Sequence, residues 1–281
     1  MTQGAIATPK RIGIVGLGAM GRPMARHLLA KGFSVAGSDL SGAARDAAAS
    51  LGVSIAPNPK ALAAASDAVL VVVGFDAEIE RVVFGADGVA AAARPGLILA
   101  IGSTIAPSYA RRLAERLAGS GLILIDMALT RGEPFAETGT MLILGGGDAC
   151  AFEACRPVFS AFASDIFNLG PFGAGQVGKM VNNSILWACM AANDEGLRLG
   201  EALGVDQETM RAALVHSSAE NFALSARADA RPTPWAEKDM AIVLKEADGA
   251  GMSLPLAGLV REQIKAFKRR KGYPTPKAGE G

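Results

Sequence analysis

Four residues near the start of the chain have the types and spacing that dinucleotide binding asks for. Gly16, Gly18 and Gly21 stand in "IGIVGLGAMG", after an apolar β-branched run and before an amphipathic stretch that reaches about Lys31, with Gly32 placed to stop it. At this spacing Gly16 permits a tight turn, Gly18 lets the backbone approach a pyrophosphate, and Gly21 lets helix and strand touch. The helix N-terminus then turns its N–H groups toward the phosphates. Leu17, Ala19 and Met20 complete the loop. Asp39 ends the next run, "FSVAGSDL", about 20 residues further on, where a carboxylate accepts both ribose hydroxyls of adenosine and repels a 2′-phosphate. NAD is therefore favoured over NADP. Arg45 leaves some tolerance for a phosphate, and the competing reading of Asp39 is a cap on the following helix.

These residues need a sheet to carry them. Short apolar runs recur at Ile12–Val15, Ser34–Gly37, Val69–Val73, Leu97–Ile101 and Leu122–Ile125, each followed by a helix-compatible stretch. Runs apolar on both faces read as buried parallel strands joined by crossover helices, the doubly wound α/β pattern. Met141–Leu144, closed by a turn at Gly145–Gly147, and Ile166–Leu169 read as later strands at the far edge. From Lys179 onward only helical periodicity remains, in Val181–Leu203, Gln207–Val215, Asp239–Ala250 and Leu256–Arg269. The expected architecture is an N-terminal doubly wound Rossmann domain over residues 1–172, followed by an all-α substrate and dimerisation domain over 173–281. A long interdomain helix joins them. The tail "KRRKGYPTPKAGEG" has the composition of a frayed end.

Composition narrows the partners. Lysine plus arginine total 28 against 27 aspartate plus glutamate in 281 residues, with no dense basic block before the tail, so nothing asks for nucleic acid. No apolar run approaches the ~20 residues of a bilayer span, and "MTQGAIATPKR" lacks a secretory apolar core. Cys150, Cys155 and Cys189 form no CxxC pair, which fits buried thiols in a reducing compartment, so a soluble, cytoplasmic protein is expected. His27 and His216 have no metal-spaced companions and read as structural, with no metal expected.

Several stretches together resemble the β-hydroxyacid dehydrogenase family, which includes 3-hydroxyisobutyrate dehydrogenases, tartronate semialdehyde reductases and sulfolactaldehyde reductases. "GLGAMGRPMARHLL" is similar to that family's nucleotide-binding signature. "VVVGFDAEIERVVFG" resembles its strand-four segment, which implies Val73, Gly74 and Glu78 near the cofactor, although a Val73–Gly74 pair replaces the usual Leu-Pro. "IGSTIAP" implies Ser103 and Thr104 at the nicotinamide side. "GAGQVGKMVNNSILWACMAANDEGLRLGEALGVD" resembles the catalytic segment, which implies Lys179 and Asn183 as the catalytic pair. Residues four apart share a helical face, so the ammonium and the amide can address one substrate oxygen. On this resemblance Lys179 takes the hydroxyl proton as the carbonyl forms and returns it in reverse, while Asn183 holds the oxygen. In a cleft beside the cationic nicotinamide the Lys179 pKa is expected to fall. "PWAEKDMAIVLKEA" resembles the family's Lys-Asp helix and implies Lys238 near cofactor and substrate, across a connection shorter than usual.

One stretch departs from the pattern. Where the family continues Asp-Ala-Pro-Val-Ser-Gly-Gly to cradle the substrate carboxylate, this chain reads "DMALTRGEPFAETGTM". Thr130 keeps a hydroxyl, Arg131 replaces the first glycine and Gly132 keeps the second. A guanidinium there offers a planar fork to a carboxylate, sulfonate or phosphate, as in sulfolactaldehyde reductases. Alternatively Arg131 faces solvent or pairs with Glu133 or Glu137. Ser217, Ser218 and Phe222 either line the cleft or serve a turn and a core.

The resemblance implies an NAD-dependent oxidoreductase moving hydride between nicotinamide and a small anionic 3-hydroxy acid or its semialdehyde, in a homodimer or homotetramer. Two alternatives are a catalytically silent dinucleotide-binding protein and an imine reductase, both of which generally lack the lysine present here as Lys179.

Overall fold

The computed structural model describes residues 6–274. The chain forms two compact units, Met1–Lys179 and Met180–Gly281, the division falling inside one long helix.

The first unit runs β1 (Arg11–Val15), α1 (Gly21–Ala30), β2 (Ser34–Ser38), α2 (Gly42–Ala49), β3 (Ser54–Ile55), α3 (Pro59–Ala65), β4 (Ala68–Val71) and α4 (Asp76–Phe84). It continues β5 (Ile98–Ile101), α5 (Pro107–Leu117), β6 (Ile123–Thr130), α6 (Glu133–Thr138), β7 (Met141–Gly147), α7 (Ala149–Phe159) and β8 (Ala163–Asn168). The sheet has eight strands in the order β3-β2-β1-β4-β5-β6-β7-β8. Strands β4 and β5 are buried along their whole length, which is why their sequences are unbroken apolar runs. Met24, Ala25 and Leu28 of α1 repeat at helical spacing and pack into the same core as Ile12 and Ile14 of β1. Met24, Leu28, Ile12 and Ile14 each contribute about 1.5–3 kcal/mol by leaving water. The order reverses between β1 and β4, the topological switch point at which open α/β sheets bind ligands beyond the carboxyl ends of their strands.

The doubly wound expectation holds, with specific differences. The expected strand Val69–Val73 ends at Val71, because the Val72 N–H turns to the Val15 carbonyl and the Val73 N–H to the Ser103 hydroxyl. The expected Leu122–Ile125 runs on to Thr130. Its pairing with β5 ends at Ile101↔Asp126, and from Met127↔Gly145 to Thr130↔Leu142 it pairs with β7 alone, antiparallel. Gly145–Gly147, read as a closing turn, is strand. A side chain at Gly145 would sit 2.1 Å from the Phe152 ring, so these glycines serve close packing rather than reversal. Ile166–Leu169 shifts to Ala163–Asn168, and β3 is an added edge strand.

Helix α8 (Ala174–Ala202) starts before the expected Val181. In the second unit it is followed by α9 (Gln207–Leu214), α10 (Phe222–Ser225), α11 (Ala236–Gly249) and α12 (Pro255–Lys271). Met190, Met240, Val243, Val260, Ile264 and Phe267 make its core. The expected frayed tail is helical through Lys271, and Lys268, at 1% exposure, is paired to buried Glu237 at 2.9 Å. Beyond residue 274 that expectation lies outside the described residues, as does the first part of the N-terminal stretch. Among the described residues no helix is long and apolar enough to cross a membrane, and no cluster of His, Cys, Asp and Glu could hold a metal ion.

Candidate active site

At the end of β1, Gly16 has φ +95°, and a side chain there would meet the Val72 carbonyl at 2.3 Å. A Cβ on Gly21 would stand 1.8 Å from the Gly16 carbonyl. The fold itself demands both glycines. Gly18 is different: a Cβ there meets nothing within 4 Å, so the fold itself does not demand this glycine. Ser41, Asn58 and Asp148 cap α2, α3 and α7 with their side chains, whereas Met20 gives α1 no side-chain cap and no acidic residue stands in its first turn. An open glycine before an uncapped helix N-terminus fits a pyrophosphate. Asp39 is not the cap of α2, which Ser41 supplies. Its Oδ2 accepts the Leu17 N–H at 2.7 Å and its Oδ1 the Ser41 N–H at 2.7 Å, so the carboxylate is fixed against the glycine loop. Arg45 donates to the carbonyls of Asp39 and Leu40 at 2.8 and 3.0 Å.

The neighbouring loops bring other expected residues together. The Ser103 hydroxyl, 3% exposed, accepts the Val73 N–H at 2.8 Å. Thr104 follows it, half-buried. Glu78 turns back on its own helix, accepting the N–H groups of Gly74 and Phe75 at 2.7 and 3.0 Å, so it holds the Val73–Gly74 turn.

Past the parallel sheet, β6 delivers Thr130, Arg131 and Gly132. The buried Thr130 hydroxyl donates to the Leu142 carbonyl at 3.1 Å. A Cβ on Gly132 would meet nothing within 4 Å. Arg131 takes φ +75°, the glycine-favoured backbone that the family's glycine would adopt freely. Its partner is Asp165 rather than Glu133 or Glu137. Nη1 lies 2.8 Å from Asp165 Oδ2 and donates to Ser164 Oγ and the Thr140 carbonyl at 2.9 Å each, while Glu137 pairs with Arg26. Lys179 reaches this same strand end: its half-buried Nζ donates to the Leu129 carbonyl at 2.7 Å, directly before Thr130–Gly132.

Two residues that the sequence reading passed over tie these parts together. Asp126, fully buried in β6, accepts the Gln176 N–H at 2.9 Å in the first turn of α8, and its Oδ1 has no partner among the described residues. Burial pushes its carboxyl up to about 6, against the pull of backbone N–H groups from Gln176 and Gly173. Gln176 also bonds the backbone of Ser103 and Ile105. The available signals were a lone carboxylate in the apolar run "LILIDMAL" and a glutamine among the glycines of "GAGQVGK".

In the second unit, Asn183 is 4% exposed; its Nδ2 donates to Asp239 Oδ2 at 2.9 Å and its Oδ1 accepts from Asn182. Trp187 Nε1 donates to the same Asp239 oxygen at 3.1 Å. Asp239 was not singled out in the sequence, although it adjoins Lys238, whose Nζ stands 5.4 Å from the centre of the Trp235 ring. Ser217 donates to the Leu214 carbonyl at 2.9 Å, and Phe222 is 44% exposed. In the first unit, His27 meets the carbonyls of Ala136 and Glu137 at 3.2 and 3.1 Å.

Residues 11–170 match the family described as the NAD binding domain of 6-phosphogluconate dehydrogenase, and residues 173–276 match that described as NAD-binding of NADP-dependent 3-hydroxyisobutyrate dehydrogenase. The chain belongs to the β-hydroxyacid dehydrogenase family. Within it, 2-(hydroxymethyl)glutarate dehydrogenase of Eubacterium barkeri is 32% identical over 262 residues, 90% of this chain and 87% of that protein. NAD-dependent L-serine dehydrogenase of Pseudomonas aeruginosa is 35% identical over 215 residues, 76% of this chain and 72% of that one. The crystal structure of a 3-hydroxyisobutyrate dehydrogenase from Salmonella typhimurium superposes with a TM-score of 0.82 at 28% identity, covering 94% of this chain and 95% of that one. This β-hydroxyacid dehydrogenase is accordingly an NAD(P)-dependent oxidoreductase acting on a CH–OH group.

Proposed function

We propose that the enzyme oxidises a small 3-hydroxy acid to its semialdehyde, and runs the reverse reduction, with Lys179 as the proton carrier. The observation that carries this reading is the Lys179 Nζ, held on the Leu129 carbonyl immediately before Thr130–Gly132. When bound, the nicotinamide supplies hydride acceptance or donation. Gly16 to Gly21 bind the pyrophosphate, Asp39 the adenosine ribose, and Ser103 and Thr104 border the nicotinamide. Val73, Gly74 and Glu78 shape the adjoining wall. The open backbone at Gly132 receives the substrate carboxylate, and Thr130 orders that turn. Asn183, one turn beyond Lys179 on α8, orients the reacting oxygen. Lys179 Nζ takes the hydroxyl proton during oxidation and returns it during reduction.

The proposed substrate carries a second anion, a carboxylate or sulfonate, gripped by Arg131. In its support, Arg131 engages only Nη1 with acceptors among the described residues, which leaves the Nε and Nη2 edge for an oxyanion. The E. barkeri relative acts, by its name, on a glutarate, a doubly anionic hydroxy acid. We assign residues 1–172 to cofactor binding and 173–281 to substrate binding and self-association. Val181, Ile185, Leu199 and Leu203 of α8 and Leu256 and Leu259 of α12 are exposed apolar residues that a second copy would cover. The cysteines form no disulfide, as suits the cytoplasm.

The test is NAD reduction with L-serine, 3-hydroxyisobutyrate, 2-(hydroxymethyl)glutarate and 2,3-dihydroxypropane-1-sulfonate. Wild type is expected to turn over at least one, and Lys179→Ala to lose about 10²–10⁴-fold in kcat on it. Unchanged kcat in that variant overturns the reading.

A further inference from the structure

Gln176 stands nearly one turn ahead of Lys179 on α8 at 1% exposure, and neither cofactor binding nor proton transfer as described uses it. Its side-chain amide takes both ends of one short stretch of backbone. Nε2 donates to the Ser103 carbonyl at 2.9 Å, and Oε1 accepts the Ile105 N–H at 3.1 Å. Thr104 is bracketed between these contacts. The Gln176 N–H donates to Asp126 Oδ2 at 2.9 Å, and Ser103 in turn holds the Val73 N–H at 2.8 Å. A continuous chain of hydrogen bonds thus runs from the first turn of α8 through Gln176 to the loops after β5 and β4.

The chemistry of this position is exacting. An amide donates and accepts at once. A carboxylate would set a lone pair against the Ser103 carbonyl, and an apolar side chain would leave two buried backbone groups unpaired. Lys179 lies three residues further along the helix and on nearly the same face.

We infer that Gln176 is a positioning residue that fixes Thr104, at the nicotinamide side, relative to the Lys179 ammonium. The inference rests on the proposed role of Lys179. Its physical content is alignment: hydride and proton must leave one substrate from two directions, and a misplacement of about 1 Å costs roughly 10²-fold in rate.

The experiment compares wild type, Lys179→Ala, Gln176→Leu and Gln176→Glu on the best hydroxy acid of the panel above, with kcat followed across pH and ADP-ribose binding measured by calorimetry. Gln176→Leu is expected to lose about 10²-fold in kcat while binding ADP-ribose, which lacks the nicotinamide, within about twofold of wild type. Gln176→Glu is expected to approach wild type only at low pH, where the protonated carboxyl can donate to the Ser103 carbonyl. Its profile then gains an ionisation that wild type and Gln176→Leu lack.

Near-normal kcat in Gln176→Leu, an equal loss of ADP-ribose binding, or no added ionisation in Gln176→Glu overturns the inference. If Gln176→Leu does not fold, the Gln176→Glu profile decides. If neither folds, Gln176 serves the fold alone and the inference fails. Wild type inert on the whole panel, or Lys179→Ala fully active, sinks the Lys179 reading and this inference together. An inactive Lys179→Ala beside an active Gln176→Leu sinks this inference only.

Discussion

Arg131 and Asp165 form an ion pair of 2.8 Å at the far end of the sheet, made from a backbone conformation that favours glycine. The guanidinium at the proposed anion site is therefore held in place before any substrate arrives. Its partner also competes with that substrate.

Removing Asp165 should release that competition. Asp165→Ala is expected to lower KM for 2-(hydroxymethyl)glutarate or the sulfonate more than for L-serine, and Arg131→Gly to raise it selectively. Steady-state kinetics on these substrates check this, and equal shifts for all of them remove Arg131 from the substrate site. Strain adds a stability prediction: Arg131→Ala should melt below Arg131→Gly by the equivalent of about 1 kcal/mol, because only glycine takes φ +75° without cost.

Asp126 gives the fold a pH dependence of definite sign. Its carboxyl is raised to about 6 by burial, so between the ordinary value near 3.8 and about 6 the folded chain keeps a proton that the unfolded chain has released. This contribution to stability is full below pH 4 and lost as pH rises through 6, on the order of 3 kcal/mol at most. Asp67, held down to about 2 chiefly by its hydrogen bond from Arg11, acts in the opposite sense at lower pH. Urea unfolding at pH 4.5 and 7 should show a smaller loss of stability with rising pH in Asp126→Asn than in wild type.

The glycine loop separates fold from ligand. Gly21→Ala forces a Cβ to 1.8 Å from the Gly16 carbonyl and should unfold or severely destabilise the first unit. Gly18→Ala meets open space and should melt near wild type, yet weaken NAD binding at least about tenfold, roughly 1.4 kcal/mol. Thermal unfolding and calorimetric titration with NAD check the pair.

Asp239 carries both Asn183 and Trp187 on one oxygen. Asp239→Ala should lower kcat at least about tenfold by freeing the Asn183 amide. It should also shift Trp187 fluorescence, read cleanly in a Trp235→Phe background. A kcat loss with no spectral change would show that this network does not hold Asn183.

Much of the fold was legible because its signals are local. Buried parallel strands such as Ala68–Val71 need apolar residues on both faces, and helices need apolar residues at helical spacing, so composition within one turn reports them. The loop from Gly16 to Gly21 and the position of Asp39 were legible for the same reason. The end of β6 was not: a carboxylate at Asp126 looks like the close of a strand, and is tolerated in one because backbone N–H groups at and before the start of α8 meet it. Likewise Gly145–Gly147 look like a turn until Phe152 packs against them.

By itself the sequence determined a doubly wound sheet with a bare glycine loop after its first strand, an acidic residue at the end of the second, and a helical second half. The tertiary structure alone decided that β6 runs on antiparallel to β7 and delivers Thr130–Gly132 beside Lys179. It alone decided that Arg131 faces Asp165 and that Gln176 binds the Ser103–Ile105 backbone. The physical reason is range. A side chain's periodicity is set by its neighbours within a turn, whereas the hydrogen-bond partners of Gln176 lie 50 to 73 residues away and meet it only when the sheet has closed.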